Sequence, residues 1–179
     1  KITEEYFKDT KNLQTKIFSE IKSKIKLEDE SLKFKDDRYF YWTKTVEKGN
    51  YGKYLRQKIK SSAVETYFDG DKEKELCGSK YFGLGSIAVS PDDQLLAYSL
   101  DLKGSEYYDI FLRNISNNKI IEDKIENTSG SIVWKLNSKS FFYTPLDKFH
   151  RSKKIYRHIL GTPSKDDQLI FEEKDDTYS

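Results

Sequence analysis

Short apolar runs divided by polar breaks carrying Gly, Pro, Asp or Asn fill the chain from Arg38 onward. Ser90–Ile115 displays the pattern best. Pro91 and the pair Asp92-Asp93 pre-set a turn. The apolar run Leu95–Leu100 follows, then a polar break containing Gly104, then a second run rich in aromatic and β-branched residues. That order predicts strand, hairpin loop, strand.

The pattern recurs in register. Asn137-Ser138-Lys139-Ser140-Phe141-Phe142-Tyr143-Thr144 overlays Asp92–Ser99, so that Tyr143 falls on Tyr98 and, without a gap, Leu160 falls on Ile115. Upstream, Asp36-Asp37-Arg38-Tyr39-Phe40-Tyr41-Trp42-Thr43 makes a third copy, with Ile59 on Ile115. A unit of ~40–50 residues carrying about four short strands is the signature of a β-propeller blade. The fold class expected is therefore mostly β: a partial β-propeller of about three blades.

A helix precedes the blades. From about Thr3 to Lys26, Leu13, Ile17, Ile21 and Ile25 recur every fourth residue and Phe18 widens the stripe, with Asp9 or Thr10 as candidate caps. Its polar face mixes both charges, as expected of a helix docked on a protein body rather than on a membrane. Glu28–Lys35 reads as a charged connector. The domains expected are residues 1–30, helix and connector, and residues 31–179, an incomplete propeller. In the first blade, strands are expected at Arg38–Thr45, Gly52–Lys60 and Ala63–Asp69, and the segment from Asp69 to Glu75 as a polar turn between blades. A calcium loop there fails, because Lys74 and Lys80 occupy the positions that need Gly and Glu. The second blade is expected from about Gly85 to Glu126, with strands near Ser86–Val89, Gln94–Leu100, Tyr107–Ile115 and Ile120–Ile125. The third, Gly130 to Glu172, has strands near Ser131–Lys135, Ser140–Pro145, Lys154–Leu160 and Gln168–Glu172. Asp175–Ser179 would begin a further unit.

Composition narrows the function classes. Hydrophobic residues make up 36% and aromatics 15%, which fits a Tyr/Phe-packed fold with a very polar surface. The net charge is +2, from 32 basic and 30 acidic residues, and only five of the basic residues are Arg. That balance argues against a phosphate-reading or membrane surface, so neither nucleic acid nor membrane is expected as a partner. The single Cys77 and the lack of a ~20-residue apolar run point to a cytoplasmic setting, and the sequons at Asn114 and Asn127 then read as chance matches. The chain has no Met, position 1 included, and reads as starting partway through something.

Candidate chemistry is sparse. No Gly-x-Ser-x-Gly elbow, Walker loop or dinucleotide fingerprint occurs. His150 and His158 flank a hairpin but lack the further ligands that a metal site needs. The pairs Asp166-Asp167, Glu172-Glu173 and Asp175-Asp176 place neighbours on opposite faces of a strand and read as turn-forming or solvated carboxylates rather than acid/base dyads. Catalytic, cofactor-binding and metal-binding residues are all expected to be absent, and no cofactor is expected.

Several motifs together resemble one family. Tyr81-Phe82-Gly83-Leu84-Gly85, Ser90-Pro91-Asp92, Leu95-Leu96-Ala97-Tyr98-Ser99, Asp101 and Gly104-Ser105-Glu106-Tyr107 are similar to the propeller of the oligopeptidase B branch of the prolyl oligopeptidase family of serine peptidases. So are Tyr156-Arg157-His158-Ile159-Leu160-Gly161-Thr162-Pro163 and the run from Asp167 to Tyr178. The resemblance implies a seven-bladed propeller over an α/β-hydrolase domain bearing a Ser-Asp-His triad. It further implies cleavage of short peptides after Arg or Lys, with the propeller filtering substrates by size and moving to admit them. The triad and its hydrolase domain have no counterpart in these residues, so this chain alone is expected to be inactive. Its partners would be that domain and, in the full enzyme, short basic peptides. The alternatives are a stand-alone interaction module or an inactive gene remnant.

Overall fold

The structure, a computed structural model, describes residues 1–175 and Thr177. Asp176, Tyr178 and Ser179, and with them most of the expected further unit, lie outside the described residues. The chain divides into two compact units, residues 1–71 and 72–179.

The first unit starts with helices α1 (Ile2–Tyr6) and α2 (Lys11–Lys24), joined through a single 3₁₀ turn over Lys8–Thr10. The single long helix expected is thus interrupted at Phe7. Thr10 stands at the N-cap of α2, yet its hydroxyl donates to the Phe7 carbonyl at 2.8 Å and accepts from Gln14 Nε2 at 2.7 Å. The apolar stripe of Leu13, Ile17, Phe18 and Ile21 is exposed. An antiparallel sheet follows, built from β1 (Asp29–Glu30), β2 (Phe34–Asp36), β3 (Tyr39–Thr45), β4 (Lys53–Lys58) and β5 (Val64–Asp69). The segment expected as a connector therefore supplies two short strands, both paired with β3. The core of this unit is aromatic, with Tyr41, Trp42, Tyr67 and Phe68 buried.

The segment read as a polar turn after Asp69 is instead an α-helix, α3 (Gly70–Cys77). Lys72-Glu73-Lys74-Glu75-Leu76 are strong helix formers, and burial of Glu73 fixes the helix in place.

The second unit is one seven-stranded antiparallel meander: β6 (Gly83–Val89), β7 (Leu95–Asp101), β8 (Tyr108–Asn114), β9 (Ile120–Trp134), β10 (Ser140–Pro145), β11 (Lys154–Ile159) and β12 (Gln168–Glu172). The strands expected near Ile120–Ile125 and Ser131–Lys135 are a single 15-residue strand. Its first part pairs with β8 and its second with β10, and Thr128 is the residue where the two ladders meet. Two four-stranded blades thus share β9. The core lies on their facing sides: Ala97, Ile110, Leu112, Ile125, Ile132, Phe141 and Tyr143 are buried together.

The repeat holds bond by bond. Ile115 N donates to Gln94 O at 2.9 Å, Leu160 N to Lys139 O at 3.0 Å and Ile59 N to Arg38 O at 2.9 Å. Asp93, Ser138 and Asp37 occupy the matching turn position in all three copies, and all three take a left-handed φ (63°, 55° and 43°). Asp and Asn tolerate that conformation best among non-glycine residues; Ser138 carries it in the third blade. Consecutive turns also touch, since Asp92 N donates to Ser138 Oγ at 3.0 Å.

Candidate functional site

The register of β10 and β11 sets Phe141 opposite His158 and Tyr143 opposite Tyr156. His158 thereby shares the core-facing side of the third blade with Phe141, their rings 5.2 Å apart. It is 1% exposed. A buried imidazole calls for partners at its ring nitrogens. Nδ1 has one, Asp167 Oδ1 at 2.8 Å, while Nε2 lies 3.5 Å from Asp123 Oδ2 on the first part of β9 without a hydrogen bond. Tyr143 donates its hydroxyl to Asp167 Oδ2 at 2.8 Å, and Gly161 N donates to Asp123 Oδ2 at 2.6 Å. Burial first, and then the bond to Asp167, raises the pKa of the Tyr143 hydroxyl. The cluster ties the outer strand of one blade to the inner strands of the next.

A related arrangement sits in the second blade. Glu73 of α3 and Arg113 of β8 form a buried ion pair, and the Arg113 guanidinium lies 5.2 Å from the centre of the Tyr98 ring. Burial, followed by the nearby Glu73 carboxylate, raises the pKa of Tyr98.

Two hairpin tips are organised by carboxylates. Asp101, 2% exposed, accepts the backbone N–H groups of Lys103, Gly104 and Glu106 at 2.7–2.9 Å. Burial alone would raise its pKa, but those donors outweigh it and hold the carboxyl below its ordinary range. Glu106 has φ 61° and donates its backbone N–H to Asp101, so that it shapes the turn. At the β10–β11 tip, Asp147 accepts from Phe149 N at 2.7 Å and Arg151 N at 3.0 Å and pairs with the Arg151 guanidinium, while Tyr107 donates to the Asp147 carbonyl. His150 packs on the Tyr107 ring, with 4.1 Å between centres.

The two histidines of the sequence therefore do not converge: His158 is buried within the sheet and His150 lies at an exposed hairpin tip. Of the adjacent carboxylate pairs, Glu172 bonds Lys154, and Asp166 lies in an exposed 3₁₀ turn. Asp167 departs from the solvated role expected of it, because its side chain is 1% exposed and joins two buried donors. The residues missed by sequence reasoning are Asp123 and Glu73, whose partners lie 35 or more positions away in the chain. Among the described residues, no group of three or more His, Cys, Asp or Glu side chains is arranged to hold a metal ion. Among them, too, no helix is long and apolar enough to cross a membrane.

The sequence profile described as "Prolyl oligopeptidase, N-terminal beta-propeller domain" matches residues 1–179. The chain belongs to the prolyl oligopeptidase family. It is 28% identical to dipeptidyl aminopeptidase BI of Pseudoxanthomonas mexicana, over 94% of this chain and 25% of that protein. It is also 28% identical to protease 2 of Moraxella lacunata, over 79% of this chain and 21% of the relative. Among solved structures, this propeller segment is similar to oligopeptidase B from Leishmania major, with a TM-score of 0.87 and 28% identity over 96% of this chain and 24% of that one. It is likewise similar to the closed form of oligopeptidase B from Trypanosoma brucei with covalently bound antipain, with a TM-score of 0.84 and 32% identity over the same shares. The chain spans about a quarter or less of the length of these curated relatives.

Proposed function

We propose that this chain is the N-terminal propeller portion of an oligopeptidase B-like serine endopeptidase that cleaves short peptides after Arg or Lys. In this reading residues 1–30 are a helical lead and residues 31–179 an incomplete propeller that confines and gates substrate. The chemistry resides in an α/β-hydrolase domain outside these residues, and the setting is cytoplasmic. The observation that carries the reading is the likeness to two oligopeptidase B structures over 96% of the chain. The polar clusters agree with it. His158 is 1% exposed and its Nδ1 is bonded to Asp167, which fits an imidazole that holds strands together.

The test has two arms. The purified chain, incubated with arginyl and lysyl amide substrates, should give no turnover, and robust hydrolysis would overturn the assignment of chemistry elsewhere. The chain joined to the hydrolase segment of its own gene should cut short peptides after Arg or Lys while sparing folded proteins. A second reading rests on the likeness to dipeptidyl aminopeptidase BI over 94% of the chain. It predicts release of N-terminal dipeptides by the joined protein, and product sizes separate the two.

A further inference from the structure

The two ring nitrogens of buried His158 stand in unequal surroundings. A neutral imidazole has one N–H and one lone pair. Nδ1 lies 2.8 Å from Asp167 Oδ1, so the N–H belongs there, where a lone pair would meet a carboxylate. That leaves the lone pair on Nε2, which is sealed from solvent, has no hydrogen bond and lies 3.5 Å from Asp123 Oδ2. Two electron-rich atoms thus face each other across a gap that one proton would bridge.

The surroundings supply no other cation. Asp123 comes from β9 and Asp167 from the loop before β12, while β10 contributes the Phe141 ring and Tyr143, which donates to Asp167. Among the described residues, neither carboxylate pairs with a lysine or an arginine. Arg157 and Ile159, the neighbours of His158 on β11, point to the opposite face. The ring is 1% exposed among these strands, so its environment is set by them.

We propose that His158 is a proton-operated clasp between blades. The neutral ring binds Asp167 alone. A proton taken up at Nε2 turns the contact with Asp123 into a charge-assisted hydrogen bond, whose usual length is about 2.7–2.9 Å. Asp123 lies in the part of β9 that pairs with β8, whereas His158 is paired to Phe141 of β10. Closing the gap therefore ties the outer strand of the second blade to the third. Histidine is the side chain that changes charge between about pH 5 and about pH 8, so the clasp closes on acidification and opens as pH rises. It does not depend on the peptidase reading.

The full-length product of the gene tests it. In nitrogen NMR spectra with labelled histidine, the His158 signals are assigned by their loss in His158→Gln. They should show hydrogen on Nδ1 alone at about pH 8 and on both nitrogens at about pH 5. Crystal structures at the same two pH values should show Nε2 and Asp123 Oδ2 closing from 3.5 Å to about 2.8 Å. Asp123→Asn keeps an oxygen for the Gly161 N–H but removes the charge, and should weaken binding of the second proton about tenfold or more. Both nitrogens protonated at about pH 8, or a single protonated nitrogen at about pH 5, overturns the proposal. So does an unchanged distance between the two structures, or a proton held as tightly in Asp123→Asn. If Asp123→Asn does not fold, the spectra and structures of the unaltered protein decide.

Discussion

Replacing Gly85 by Ala probes the point where the two blades of the second unit lock together. The β6–β7 ladder shifts register between Leu84 and Ile87, and the Ser99 side chain fills the gap. Its hydroxyl accepts from Ser86 N at 2.8 Å and donates to Gly130 O at 2.8 Å, fully buried. A Cβ at Gly85 would lie 2.5 Å from Ser99 Oγ and 2.9–3.0 Å from two carbons of the Tyr108 ring. The closest of these contacts is with Ser99 Oγ, and relieving it turns the hydroxyl away and breaks both bonds.

Overpacking of this kind costs about 1–3 kcal/mol, and stranding a buried backbone group adds about 1 kcal/mol. The expected loss is therefore about 2–4 kcal/mol, a large share of a typical domain's stability. Urea unfolding should show a lower midpoint with an unchanged slope. Ser99→Ala alone should cost about 1–3 kcal/mol. The double variant should lose less than the sum of the two singles, by at least about 0.5 kcal/mol, since the new methyl occupies space that Oγ vacates. A Gly85→Ala protein within about 0.5 kcal/mol of the parent, or strict additivity in the cycle, would refute the reasoning.

Asp101 is ionised more readily in the folded chain than in the unfolded one, so its contribution is present above the unfolded pKa of about 3.9 and fades as pH falls through the folded value. Asp101→Asn should lower the urea midpoint at pH 7, by about 1–3 kcal/mol, and the two proteins should converge below about pH 4; parallel curves would contradict this. Arg113→Met leaves Glu73 buried without its guanidinium and should cost about 3–5 kcal/mol. Adding Glu73→Leu should recover most of the loss in thermal melts, whereas a double variant no better than the single would show that the pair is not the source.

The blades were legible in the sequence because turn chemistry is local. Asp93, Asp37 and Ser138 each follow or sit within short polar clusters, and hairpin geometry needs nothing from distant residues. The continuity of β9 was hidden by the same rule. Thr128-Ser129-Gly130 has the composition of a turn, yet Thr128 donates its hydroxyl to Tyr108 O and accepts from Gly130 N, carrying the strand through a kink from one blade to the next. Helix α3 was read as a turn because Asp69-Gly70-Asp71 reads as a turn, while the ion pair that holds Glu73 lies 40 positions away. The polar clusters were illegible for that reason: Asp123, His158 and Asp167 meet only once strand register and blade stacking are set.

The repeat nevertheless explains where those clusters stand. Tyr98 and Arg113 become Tyr143 and His158 at the 45-residue spacing that aligns Asp92 with Asn137. In both blades a tyrosine and a cationic or titratable side chain are buried on adjacent strands around one carboxylate. Glu73 supplies it from the helix before the blade, Asp167 from the loop inside the next. A carboxylate delivered from two unrelated elements to one blade position answers a packing need shared by both blades: two polar groups buried between sheets must be satisfied, whatever element is near enough to do it. The His158 cluster thus belongs to the architecture of the propeller.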